Sequence, residues 1–314
     1  MRLLGERPDA PEILALRALK LGDLLVAVPA IHGIRRAYPD HELVLAVPRW
    51  LEPIVELVGG VDALLPTPGL NDPLPVEPGR IDIAVNLHGN GDESSTLIDL
   101  LEPRVVAGHR NARHDGPEWE DGVLERYRWA RLVTWHGMTA DPADTAIQAP
   151  QDPARVAGAT VVHVGAFYGS RKWPADRFAA VARVLGDEGH DVIFTGSASE
   201  RERAEEVADL AGFPASAVLA GEVRLDEFAA LVREARVVVS ADTGAAHLAS
   251  AYVVPSVVLF GPAPVEEWGP PEGPHICLTD ASVRLGDAFA TTPDPAILAV
   301  TVDDVLEAVH SLGV

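Results

Sequence analysis

The chain has 314 residues, 47% of them hydrophobic, one cysteine and a formal net charge of −22. That apolar content is enough for real cores, which excludes a disordered chain, and no apolar run nears the roughly 18 residues that span a bilayer. Cys277 alone excludes an intramolecular disulfide framework and a multi-cysteine metal site, and the acidic balance disfavours nucleic acid and anionic lipid, which reward clustered Lys and Arg.

Taken in chain order, EILALRAL (12–19) reads as a strand, then the turn KLGD, then a helix from Leu24 to about Tyr38 that Pro39-Asp40 stops. ELVLAV (42–47) is the next strand, WLEPIVELVG a helix, and ALLP a short strand. IDIAVNL (81–87) is a strand, STLIDLL a helix and RVVAGH (104–109) a further strand. From Asn111 to Gly137 the chain is polar and rich in Arg, Trp and His, with one helix around VLERYRWARLV. Residues 139–158 are rich in Pro, Asp and Ala without a sustained period, which marks a linker.

Beyond that linker the alternation restarts. ATVVHVGA, DVIFTG, AVLAG, VVVSAD and SVVLFG read as strands, separated by helical stretches such as PADRFAAVARVLGDEG and LDEFAALVREA. DDVLEAVHSLG closes the chain as an amphipathic helix. Alternating strands and helices imply parallel sheets covered on both faces. Two α/β domains are therefore expected, residues 1–150 and 151–314. Ligands in such folds bind outside the carboxyl ends of the strands, so the two are expected to face each other across a cleft. The N-terminus has no secretory signal pattern, which makes a cytoplasmic location the expectation.

Chemistry concentrates at strand ends. VVVSADTGAAHLASA ends a buried strand in Asp242-Thr243-Gly244 and opens a helix. Asp242 can cap that helix, and the amides of Thr243, Gly244 and Ala245 can face an anion. His247 shares a helical face with Thr243. A capped helix with a half-buried histidine and a phosphate cradle both fit. The loop of VVHVGAFYGSRKWP carries Gly165, Ser170, Arg171 and Lys172 after another strand. Cations there suit a diphosphate, and a solvated surface pair is the alternative. Gly22-Asp23 stands at the end of the first strand, with Asp23 either a cap or a base. His88, His109, Trp129 and His136 are acceptor-side candidates, since aromatic faces bind sugars; core aromatics fit equally. No His or Cys spacing suggests a metal site.

Together these stretches resemble one family. LGDLLVAVPAIHGIRRAYPDHELVLAV, RKWPADRFAAVARVL, LDEFAALVREARVVVSADTGAAHLASAYVVPSVVLFGP and EEWGP are similar, in order and over nearly the whole chain, to glycosyltransferase family 9, the bacterial heptosyltransferases. The resemblance implies a GT-B fold of two Rossmann-like domains. The first would hold the acceptor, the second would hold the donor, and the last helix would cross back to the first. It implies Asp23 as catalytic base, and Gly22, Gly165, Ser170, Arg171, Lys172, Asp242, Thr243, Gly244 and His247 as donor contacts. The family usually has lysine at the position of Arg171, so the cation on the diphosphate is open between Arg171 and Lys172.

The implied reaction is metal-independent inverting transfer of a heptose or related sugar from an ADP-activated donor, with no other cofactor. Net charge points to a soluble small-molecule or natural-product acceptor, with lipopolysaccharide core as the alternative. A nucleotide-sugar epimerase or a non-catalytic nucleotide-sugar-binding protein on the same fold are the rivals. A monomer or homodimer is expected.

Overall fold

The computed structural model describes residues 1–314, which divide into two units, Met1–Gln148 and Ala149–Val314. Unbroken runs of Val, Ile, Leu and Ala form the central strands of each. Such runs are what parallel strands need when helices cover both faces.

The first unit contains β1 (Arg2–Leu3), β2 (Glu12–Leu16), β3 (Glu42–Val47), β4 (Ala63–Pro66), β5 (Ile81–Asn86) and β6 (Val105–Ala107). All pair in parallel, in the order β1-β4-β3-β2-β5-β6. The chain leaves β2 to build one half of the sheet and returns at β5 to build the other. The carboxyl ends of β2 and β5 thus flank a topological switch point, the usual place for a ligand in such sheets.

The helix expected from Leu24 to Tyr38 is two helices, Leu21–Val26 and Val28–Ala37. Pro29 explains the break: without an N–H it fits the first turn of a new helix and not the middle of an old one. The earlier start matters for Asp23, which lies in the first turn, after the Lys20 cap position.

The second unit contains β7 (Thr160–His163), β8 (Val192–Thr195), β9 (Val237–Ala241), β10 (Ser256–Leu259) and β11 (His275–Leu278). They pair in parallel as β11-β10-β9-β7-β8. Here the switch point lies between β7 and β9. The AVLAG stretch is not a full strand: Ala215–Ala217 forms a 3-10 turn and Val218 makes a single bridge to Phe194.

Trp173, Phe178 and Phe194 fill the core of this unit with Val239 and Leu259. The final helix, Val302–Ser311, starts at Thr301, whose hydroxyl accepts the Asp304 N–H while the Asp304 carboxylate accepts the Thr301 N–H. It buries Val305, Ala308 and Val309 in the core of the second unit. No helix is long and apolar enough to cross a membrane.

Candidate functional site

Buried polar atoms nearly always find partners, so those that do not mark places of interest. Eight buried side-chain nitrogen or oxygen atoms lack a hydrogen-bond partner. Six of these eight lie past the carboxyl ends of strands: Arg17 Nη2, His88 Nδ1 and His109 Nε2 in the first unit, Arg171 Nε, Asp242 Oδ1 and Thr243 Oγ1 in the second.

In the second unit, the loop after β7 brings Arg171 to Asp242 at the end of β9. Arg171 Nη1 donates to Asp242 Oδ2 at 3.0 Å and to the Asp242 carbonyl oxygen at 3.1 Å. His247 Nε2 is 3.6 Å from the other carboxylate oxygen, Oδ1. Asp242 is therefore not the helix cap that its position suggests. Thr243 occupies the cap position of the Gly244–Ala251 helix, with no side-chain capping bond. The Asp242 carboxylate is turned away, buried against Arg171. Lys172, the next residue in the chain, is half-buried and enters no ion pair.

Gly165 and Ser170 stand in the same loop. A Cβ on Gly165 would lie 2.4 Å from Glu200 Oε2, the far end of a side chain that can shift. The Ser170 hydroxyl, expected to face a ligand, is fully buried and donates to the Ala288 carbonyl at 2.9 Å. Its backbone N–H donates to Ala290 O and its carbonyl accepts from Asp294 N–H. Ser170 thus ties this loop to residues 288–294. No local sequence signal reveals so distant a partner.

In the first unit, Asp23 projects from the first turn of its helix and accepts the Lys20 N–H through Oδ2 at 3.1 Å. It fulfils the acidic half of a capping box rather than the cap itself, and its side chain keeps 23% exposure. Arg17, unnoticed in the sequence reading, lies beneath it. Its side chain is 1% exposed, Nε donates to the Asp23 carbonyl at 2.9 Å, and Nη1 donates to Leu87 O at 2.5 Å. The one available sequence signal was an arginine inside the apolar run ILALRAL.

His88 follows β5, within range of the charges of Arg17 and Asp23. Burial, reinforced by Arg17, pushes its imidazole down to about 4.

The remaining acceptor-side candidates are mostly interior. Trp129 is 1% exposed and donates through Nε1 to Glu125 Oε2 at 2.8 Å, with the Arg17 guanidinium 4.5 Å from its ring. His109, equally buried, packs edge-on to Trp119 and Trp129 and pairs through Nδ1 with Pro117 O. Burial pushes its imidazole to about 4. His136 pairs with the Gly108 backbone. Trp129 and His109 are therefore core residues and not an exposed sugar platform.

Comparison with known proteins adds to this geometry. Residues 132–282 match the sequence profile of glycosyltransferase family 9 (heptosyltransferase). Lipopolysaccharide heptosyltransferase 2 of Escherichia coli K12 is 32% identical over 157 residues, covering 47% of this chain and 44% of that protein. The chain thus spans less than half the length of the curated relatives it matches.

Among solved structures, a family 9 glycosyltransferase from Veillonella parvula superposes with a TM-score of 0.75 at 19% identity, covering 98% of both chains. E. coli ADP-heptose lipopolysaccharide heptosyltransferase II gives 0.74 at 19% identity, covering 96% of this chain and 98% of that one. These likenesses show the fold, the GT-B class of two Rossmann-like units. The profile match contains the Asp242 turn and the Arg171 loop. Asp23, Arg17 and His88 lie outside it.

Proposed function

We propose that this chain, which matches the glycosyltransferase family 9 profile over residues 132–282, is a member of that family and transfers a heptose from an ADP-activated donor to a hydroxyl of an acceptor. One observation carries this reading: three unpartnered buried polar atoms, on Arg171, Asp242 and Thr243, lie past strand ends within the stretch that matches the family profile. The identity of the donor is supported by a structural neighbour named for ADP-heptose.

In this reading, the acceptor oxygen attacks C1 of the heptose as Asp23 takes its proton. The bond from C1 to the diphosphate oxygen breaks and ADP leaves with the electron pair. Negative charge grows on the diphosphate as this happens. Arg171 already serves Asp242, so Lys172 supplies the larger share of uncompensated positive charge, with the Thr243–Gly244 amides assisting. Asp242 orients Arg171 and, through its free Oδ1, faces His247. No metal or other cofactor takes part.

Lipopolysaccharide is the acceptor that the relatives' names favour. A soluble small molecule is the second reading, favoured by the net charge of −22, which opposes approach to an anionic membrane. Incubation with ADP-heptose and each acceptor class, with mass detection of product, decides between them. Thermal shifts with ADP, UDP and GDP test the donor: the largest shift is expected with ADP, and an equal shift with UDP would remove the heptose reading.

A further inference from the structure

We infer that Arg17 is a positioning residue for Asp23, fixing the proposed base across the switch point of the first sheet; this rests on the reading of Asp23 given above. The guanidinium joins three segments. Nε holds the Asp23 carbonyl, Nη1 holds Leu87 O at the end of β5, and the plane lies over Trp129 of the Glu125–Trp135 helix. Nη2 makes no hydrogen bond, yet it lies 3.8 Å from Asp23 Oδ1 and 3.7 Å from Glu125 Oε2.

A buried charge in this setting is a poor device for stability alone. Burial lowers the Arg17 pKa, and the nearby Asp23 and Glu125 carboxylates only oppose that effect. An apolar side chain of similar volume commonly serves a fold as well as a buried ion pair does. What an apolar residue cannot do is grip both sides of a switch point while presenting a nitrogen to the base. Glu125 is already committed to Trp129 and Arg128, which leaves Nη2 directed between two carboxylates, one of them the base.

The second unit offers a partial parallel: Arg171 spans its switch point to Asp242 at a strand end and retains an unpartnered nitrogen, as Arg17 spans the first to Leu87 O and retains one.

The test is a double-mutant cycle with Arg17→Met and Asp23→Asn, read as ADP release from ADP-heptose. Heptose-deficient lipopolysaccharide core is the acceptor, and water serves where the core is not accepted. Melting curves and ADP affinity are measured alongside.

A misplaced reacting group can cost on the order of 10²-fold. Arg17→Met is expected to lose about that much turnover with ADP affinity unchanged. In the Asp23→Asn background it should cost less than about threefold, because residues acting through one another do not add. Arg17→Lys, which keeps the charge and one donor, should retain part of the rate; it also replaces Arg17→Met in the cycle if the latter fails to fold.

Losses that multiply in the double mutant, or normal turnover by Arg17→Met, overturn the inference while leaving Asp23 as base. Normal turnover by Asp23→Asn overturns the underlying reading and the inference with it.

Discussion

A single nitrogen of Arg171 reaches both the carboxylate and the backbone carbonyl of Asp242, so one guanidinium bridges the loop after β7 to the end of β9. The carboxylate it meets is 1% exposed. Removing one partner of a buried pair leaves a charge without compensation, at a cost of about 3 kcal/mol. Arg171→Ala should lose stability on that scale in urea unfolding. Adding Asp242→Asn should restore much of it, since the neutral amide needs no counter-charge. A double mutant no more stable than Arg171→Ala alone would show that the pair is not what holds this turn.

Lys172 should behave differently. With no ion pair to break, Lys172→Ala should melt within about 1 °C of the unsubstituted protein. Its effect belongs to the ligand. A charge-assisted phosphate contact contributes about 1.5–3 kcal/mol, so ADP affinity should fall at least tenfold while adenosine affinity stays level. Calorimetric titration with both ligands separates this from a solvated lysine, for which neither affinity changes.

Ser170 carries the opposite expectation. Its hydroxyl is spent on the Ala288 carbonyl in a fully buried position. Ser170→Ala should therefore cost about 1 kcal/mol of stability and leave ADP affinity unchanged. A tenfold loss of ADP binding with an unchanged melting curve would return Ser170 to the donor site.

Acid should weaken the first unit through its buried imidazoles. His88 and His109 are both pushed down to about 4, chiefly by burial, so the folded state favours their neutral forms. A depressed folded pKa gives stability that is complete above the ordinary value near 6.5. That stability is lost progressively as pH falls from there toward 4. The melting temperature should decline across that window, and His109→Gln should flatten the decline by about 2–4 °C. Parallel curves for the two proteins would place the acid sensitivity elsewhere.

How much of this was legible depends on the range of the signal. Strand runs such as ELVLAV and VVVSA, and the turn at Asp242, are local patterns, and they were readable. Pro29 should have announced the helix break at Ala27, but the apolar period runs through it and masks the stop.

The partners of Arg17 and Ser170 are Leu87 and Ala288, which no local pattern connects to them. The aromatic residues stayed open between core and platform for a related reason. Trp129 stands among polar neighbours in sequence, yet Glu125 accepts its indole N–H and the distant Arg17 guanidinium lies over its ring. Composition alone cannot tell a tryptophan stacked on a buried arginine from one waiting for a sugar.

The most direct test of the proposed transfer is single-turnover heptose transfer by Asp23→Asn, run beside its melting curve and ADP affinity. Asn keeps the shape of Asp and can still accept the Lys20 N–H, but it cannot take a proton at working pH. The expected result is a folded protein with normal ADP binding and turnover reduced about 10²–10⁴-fold. Near-normal transfer would contradict the proposal, leaving Asp23 as a capping-box residue only.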